Sequence, residues 1–220
     1  MVKKAVVVLS GGQDSTTCLY WALERFGGDQ VEALTFDYGQ RHRIELDCAG
    51  QVAKHAGVAH TTLPIDTFAA LGGNALTDSH IPVEQSPGNG LPNTFVPGRN
   101  LIFLTFAAAF AWQRDLADIV TGVAQTDYSG YPDCRRDTID AMEQSLNLGM
   151  ECTFRIHTPL MNLTKQQTVE LARDLGALDA MALTHTCYNG QRPPCGECPA
   201  CELRAKGFLD AGLADPLTSI

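Results

Sequence analysis

The sequence predicts a doubly wound α/β fold, a parallel sheet with helices on both faces and a small metal-binding segment near the C-terminus. Three observations predict it. Short β-branched runs without polar alternation recur along the chain, the pattern of strands buried on both faces. Each run is followed by a stretch of helical periodicity, and that alternation implies right-handed crossovers between parallel strands. Beyond about residue 185 the composition turns Cys/Pro/Gly-rich over a length too short for a core of its own, which suits a metal-stapled knuckle. The 220 residues therefore divide into an α/β domain over 1–184 and an appended segment over 185–220 that ends in a helix.

The first strand is "KAVVVL" (4–9). Helical spacing of Cys18, Leu19, Trp21, Ala22 and Leu23 predicts a helix over 15–26, stopped by Gly27 and Gly28. A strand at 31–37, a helix at about 41–56 and a strand at 59–65 repeat the unit. Periodicity then collapses between 66 and 99 into Gly, Pro and Asn, which predicts a long loop. Regular structure resumes with a helix at 101–113, a strand at 118–122, a polar loop through Tyr131, a helix from about 133 to 148 and a short strand near 153–157. The last helix of this series has explicit ends: Thr164 with Gln167 forms a capping box, and Gly176 is the C-terminal cap.

Composition excludes several classes. Apolar residues make up 45% and charged residues 19%, and no apolar run approaches the roughly 20 residues of a membrane span. The run after Lys3 and Lys4 ends at Leu9, too short for a signal-peptide core, so a cytoplasmic location is expected. Sixteen basic against 25 acidic residues leave a net charge of −9, which repels a polynucleotide backbone and argues against a nucleic-acid partner.

A ligand of such a fold belongs at the carboxyl ends of the strands. There the first strand runs into "SGGQDSTT" (10–17), where Gly11 and Gly12 let backbone N–H groups approach an oxyanion. Ser10 and Ser15 add hydroxyls, and the helix start adds partial positive charge. The string is neither a Walker A loop nor GxGxxG. Read without its neighbours it also fits an ordinary corner in which Asp14 caps the helix.

Of the 8 cysteines, Cys18, Cys48, Cys134 and Cys152 are scattered and read as small apolar residues. Cys187, Cys195, Cys198 and Cys201 form C-x7-C-x2-C-x2-C, a ligand set for a closed tetrahedral metal site. Zinc is the default, one structural ion per chain, and an iron–sulfur cluster is the competitor. His185 is expected outside the first shell.

"SGGQDS" after a buried strand resembles the PP-loop of the N-type ATP pyrophosphatases, which cleave ATP between the α- and β-phosphates to adenylate an oxygen of their substrate. The longer "VVVLSGGQDSTTCL", with "FDYGQRH" (36–42), "VPGRN" (96–100), "TGVAQTDYSGYPDCR" (121–135) and the terminal cysteines, resembles the QueC family of 7-cyano-7-deazaguanine synthases over essentially the whole chain. That resemblance implies conversion of 7-carboxy-7-deazaguanine and ammonia to the 7-cyano compound, with ATP and Mg²⁺, toward queuosine. It also implies a homodimer. Its rivals are another PP-loop adenylating enzyme, such as a tRNA thiolase or amide ligase, and a non-catalytic nucleotide-sensing module.

On this resemblance the nucleotide lies along Val8, Leu9, Ser10, Gly11, Gly12, Gln13, Asp14, Ser15, Thr16, Thr17 and Cys18, with Asp37 reaching the adenosine or its ribose. Asp14, Lys165 and Arg99 are the candidate catalytic residues. Lys165 either contacts phosphate or is a solvated surface lysine, and Arg99 either clamps a phosphate or anchors its loop. A 7-deazaguanine ring presents adjacent N–H donors, so a carboxylate should face it; Asp127 and Asp133 are the candidates. Tyr128 or Tyr131 is placed to stack on the ring or to pack against the loop base. Gln40 and Arg41, with His42, orient substrate or cap the next helix.

Overall fold

The computed structural model describes residues 4–78, 80–84, 90–125 and 131–218. Strands β1 (Ala5–Val8), β2 (Val31–Asp37), β3 (Ala59–Pro64), β4 (Asp118–Val120) and β5 (Arg155–His157) form one parallel sheet in the order β3-β2-β1-β4-β5. Register sets Ala5 beside Val31 on one side and beside Asp118 on the other. The chain winds outward from β1 to β3, then returns to lay β4 against the free side of β1. The switch point lies between the carboxyl ends of β1 and β4, where such sheets bind ligands.

Alternation along β1 divides the core. Val6, with Leu34, Phe36 and Ile119, faces α4 (Arg99–Trp112) and α5 (Arg136–Met150). Ala5 and Val7, with Ala33 and Val120, face α1 (Gln13–Phe26) and α2 (Ile44–Ala56). Both faces of the central strand are thereby covered, which explains its unbroken apolar run. β3 is an edge strand, and most of its side chains are at least partly exposed.

The expected elements form, with shifted ends. The first helix begins at Gln13, two residues early, because Gly12 and not Asp14 is its N-cap. The helix expected from about 133 starts as a 3₁₀ turn, Pro132–Cys134, before α5. Within 66–99 the structure adds α3 (Thr67–Leu71) and turns tied by side chains. Asn74 accepts from the backbone of Leu76 and Thr77, and Asn93 donates to the Pro82 carbonyl.

α6 (Lys165–Asp174) opens on the expected capping box, Gln167 N donating to Thr164 Oγ1 at 3.2 Å and Thr164 N to Gln167 Oε1 at 2.9 Å. Gly176 at φ 71° ends it. After α7 (Leu178–Met181), the chain reaches the cysteine segment and α8 (Pro199–Asp210). α8 rests on α6: Phe208 shares a buried cluster with Val169, Ala172, Ala177 and Met181. A buried ion pair, Arg204 Nε to Asp215 Oδ2 at 2.6 Å, fastens the far side, and Arg204 also donates to the Met181 carbonyl and the Thr184 hydroxyl.

Candidate active site and metal centre

Between β1 and α1 the chain makes a self-braced loop. Ser10 N and Ser10 Oγ both bond Ser15 Oγ, at 3.1 and 3.0 Å, and Gly12 N donates to Ser10 Oγ. Thr16 and Thr17 turn inward, their hydroxyls on the Gly12 and Gln13 carbonyls. The N-cap of α1 has no side-chain partner, so its first N–H groups carry unscreened positive character, suited to phosphate. The loop is clasped from two sides. A Cβ built on Gly122, just past β4, would lie 3.1 Å from Ser15 N, and His185 N donates to the Gly11 carbonyl at 2.9 Å.

The loop floors a cavity of about 350 Å³. Val8, Ser10, Gly12, Gln13, Asp14 and Ser15 line it, as does Lys165. Lys165, in the first turn of α6, places Nζ 2.6 Å from Asp14 Oδ2, while Asp14 Oδ1 is buried with no partner. The two residues stand far apart in sequence and meet because α6 packs on α1.

The opposite wall is aromatic and carries one cation. Tyr38, Phe103, Tyr131 and Tyr188 line it, and Arg99 lies among them, its guanidinium 5.5 Å from the Tyr38 ring and 6.0 Å from the Phe103 ring. Arg99 Nη1 donates to Tyr38 Oη at 3.3 Å, and its Nε is buried and unpartnered. Burial opposes the charge on Arg99 and the Asp133 carboxylate nearby favours it; a guanidinium stays protonated at neutral pH. Burial also pushes the Tyr38, Tyr131 and Tyr188 phenols up, which keeps them neutral.

Glu45, in the first turn of α2, faces the same cavity, and burial pushes its carboxyl up to about 7, only partly offset by Arg99. Glu45 and Tyr188 were missing from the sequence reading. Glu45 is one of several charged residues at a polar helix start and Tyr188 adjoins a metal-ligand cysteine, so neither carries a local signal of its own.

Several expected contacts fall elsewhere. Leu9, Thr16, Thr17 and Cys18 lie behind the loop in the core, and Cys18 Sγ points 3.7 Å from the Thr121 carbonyl. Gly11 does not line the cavity either; its Cα is held against α2. Asp37 is paired with Arg43 at 2.5 Å on the outer surface. Gln40 Oε1 accepts from Tyr38 N, closing the turn after β2, and Arg41 donates to the Ile81 carbonyl. Asp133 is buried: Oδ2 accepts Asn100 N at the start of α4, and Oδ1 faces the Cys134 thiol. Tyr131 lines the cavity, bonded to Thr94 at 2.6 Å, while Asp127 and Tyr128 lie outside the described residues.

Cys187, Cys195, Cys198 and Cys201 converge with all four sulfurs within 4.8 Å of one another. Cys195 and Cys201 Sγ are 3.9 Å apart, close to the roughly 3.8 Å edge of a tetrahedron of thiolates bound at about 2.3 Å to zinc. Cys198 N and Asn189 Nδ2 donate to Cys195 Sγ, the outer-shell bonds that orient a thiolate ligand. The donor set thus fits a metal ion such as zinc. His185 stands outside it, with Nε2 on the Cys187 carbonyl at 2.9 Å.

A phosphate-type loop at the switch point of a 3-2-1-4-5 parallel sheet, backed by a lysine and opening into an aromatic cavity, defines a Rossmann-like α/β protein with a cysteine cluster that could hold a metal ion. The family profile of the queuosine biosynthesis protein QueC matches residues 4–212, and the chain belongs to that family. It is 67% identical to the 7-cyano-7-deazaguanine synthase of Chromobacterium violaceum, over 98% of this chain and 93% of that one. The synthases of Laribacter hongkongensis (65%, covering 97% and 93%) and Lysinibacillus sphaericus (55%, covering 94% of each) are also similar. Among solved structures, a predicted subunit of tRNA methyltransferase from Methanocaldococcus jannaschii aligns over 78% of this chain and 74% of its own, with a TM-score of 0.51 and 18% identity, a likeness of fold.

Proposed function

We propose that this chain is an ATP-dependent ligase that makes 7-cyano-7-deazaguanine from 7-carboxy-7-deazaguanine and ammonia. The observation that carries the reading is the junction of two half-sites in one cavity, a phosphate loop with Asp14 and Lys165 on one side and rings sized for a heterocycle on the other. The family and the names of its members support the substrate.

A carboxylate is a poor electrophile, so one of its oxygens must first attack the α-phosphorus of ATP. The loop N–H groups and Lys165 hold the departing pyrophosphate in line. Ammonia then expels AMP to leave an amide. A second adenylation, on the amide oxygen, allows elimination to the nitrile, and the same loop serves both rounds because each presents an oxygen on the same carbon. Mg²⁺ accompanying the triphosphate would offset its charge, and the unpartnered Asp14 Oδ1 is the acceptor that suits it. Arg99 contributes positive charge to the anionic groups in the cavity.

With this reading go one structural zinc on the four cysteines, free ammonium as nitrogen donor, a cytoplasmic location and a homodimer. Among the described residues no helix is long and apolar enough to cross a membrane. Exposed Trp112 and Leu148, on α4 and α5, offer an apolar face that a second copy would cover. The test is an incubation with ATP, Mg²⁺, ammonium and 7-carboxy-7-deazaguanine, following AMP, pyrophosphate and product mass. Nitrile with about two AMP per product is expected from two adenylations. AMP formed only with another acid would overturn the substrate, and no AMP with any acid would overturn the enzyme.

A further inference from the structure

Resting on the function proposed above, we infer that Glu45 is the carboxylate that reads the donor edge of the guanine-type ring. A 7-deazaguanine carries a ring N–H beside an exocyclic amine, two donors that a carboxylate meets with its two oxygens. Among the described residues, Asp14, Glu45 and Glu84 are the acids lining the cavity. Asp14 is held by Lys165 at the phosphate loop, and Glu84 is exposed at the rim. Of the two acids expected from sequence, Asp133 spends its carboxylate on the start of α4 and does not line the cavity, and Asp127 lies outside the described residues.

Glu45 remains, and its surroundings suit the task. Its side chain has no hydrogen-bond or ion-pair partner among the described residues, although it sits deep enough for burial to oppose its charge. A half-buried carboxylate that faces the cavity without a donor of its own can take both donors from a ligand. Tyr38 and Tyr188 line the same cavity, close enough for the carboxylate to act on both phenols, and provide faces for a flat heterocycle. Arg99, with its unpartnered Nε–H, stands near the carboxylate. A donor next to an acceptor matches the carbonyl next to N–H on a guanine edge.

The backbone fixes Glu45 at the loop end of the cavity, since its carbonyl abuts Gly11. Charged and titratable groups acting on or near the carboxylate are Arg99, Tyr38, Tyr188 and, on its own helix, Asp47 and Cys48, with Arg192 beside Cys48. Burial holds the Tyr38, Tyr188 and Cys48 protons above neutrality, so Glu45 is the group of this set that exchanges its proton near pH 7.

The experiment compares the full-length chain with Glu45→Gln and Glu45→Asp, using 7-carboxy-7-deazaguanine and its analogue lacking the exocyclic amine, between pH 6 and 9. Glu45→Gln should raise KM for the guanine-type substrate at least about tenfold, the loss of one charge-assisted hydrogen bond, and should collapse the preference over the analogue. KM for ATP should stay unchanged, and Glu45→Asp should recover part of the preference. In the wild type, KM for the base should rise as pH falls below about 7 because a proton competes with the N–H donors; the Gln variant should lack that rise. An undiminished preference in Glu45→Gln overturns the inference, as does a fall in kcat with KM unchanged, which would make Glu45 a proton-transfer group. Wild-type enzyme that ignores both bases defeats the functional reading itself, and that failure is visible before any variant is measured.

Discussion

Replacing Gly11 with alanine tests whether the phosphate loop is shaped by its contact with α2. Gly11 sits at φ +83°, and a Cβ there would lie 2.3 Å from the Glu45 carbonyl oxygen and 2.8 Å from Ala49 N. Both atoms are helix backbone, so no rotamer change relieves the clash; the loop and α2 must separate by about 1 Å to restore van der Waals contact. The positive φ costs an L-residue roughly 1–2 kcal/mol and the forced separation about 1–3, for a total near 2–5 kcal/mol. At roughly 2–4 °C per kcal/mol for a chain of this size, the melting temperature should fall by about 4–20 °C. A loop displaced by about 1 Å should also lose on the order of 100-fold in AMP formation. Thermal unfolding and AMP release measure the two effects. Gly28→Ala is the control, because nothing lies within 4 Å of its Cβ and its φ is not positive; its melting temperature should stay within about 2 °C of the wild type. A Gly11→Ala protein with wild-type melting and wild-type AMP release would refute the reasoning.

Four further outcomes are expected. Asp14→Ala should abolish AMP formation while leaving the far-UV spectrum and melting near normal, since Asp14 pairs only at the cavity floor; an active variant would remove Asp14 from the phosphate site. Metal analysis should return about one zinc per chain, released by a strong chelator with a drop in melting temperature; iron with visible absorption would replace the zinc assignment. Asp215→Asn leaves the Arg204 guanidinium buried and uncompensated, so urea unfolding should lose about 3–5 kcal/mol. The raised Glu45 carboxyl means the folded chain holds that proton at a pH where the unfolded chain has lost it, so folding is penalised as pH climbs from about 4.5 to about 7 and stays penalised above. Ligand-free Glu45→Gln should therefore be more stable than wild type at pH 8, by on the order of 2 kcal/mol, with the gap closing toward pH 4.5. Equal denaturation midpoints at pH 8 would contradict the burial of that carboxylate.

The strand–helix order, the loop at 10–17 and the cysteine quartet were legible from the sequence because each is local. A β-branched run, two glycines before a helix, a capping box at Thr164 and a C-x7-C-x2-C-x2-C spacing state their geometry within a few residues. The composition of the cavity was not local. Lys165 meets Asp14 only because α6 packs on α1, and Glu45 faces the cavity because the first turn of α2 closes on Gly11. Tyr188 becomes part of the wall when His185 ties the cysteine segment to the loop. The same long-range packing redirected Asp133, whose motif suggested a ligand contact, to the exposed N–H groups at the start of α4. An isolated carboxylate in a sequence looks the same whether it will satisfy a helix end or wait unpartnered for a ligand. Which of the two it does depends on the donors that distant segments bring to it, and those are set by tertiary packing.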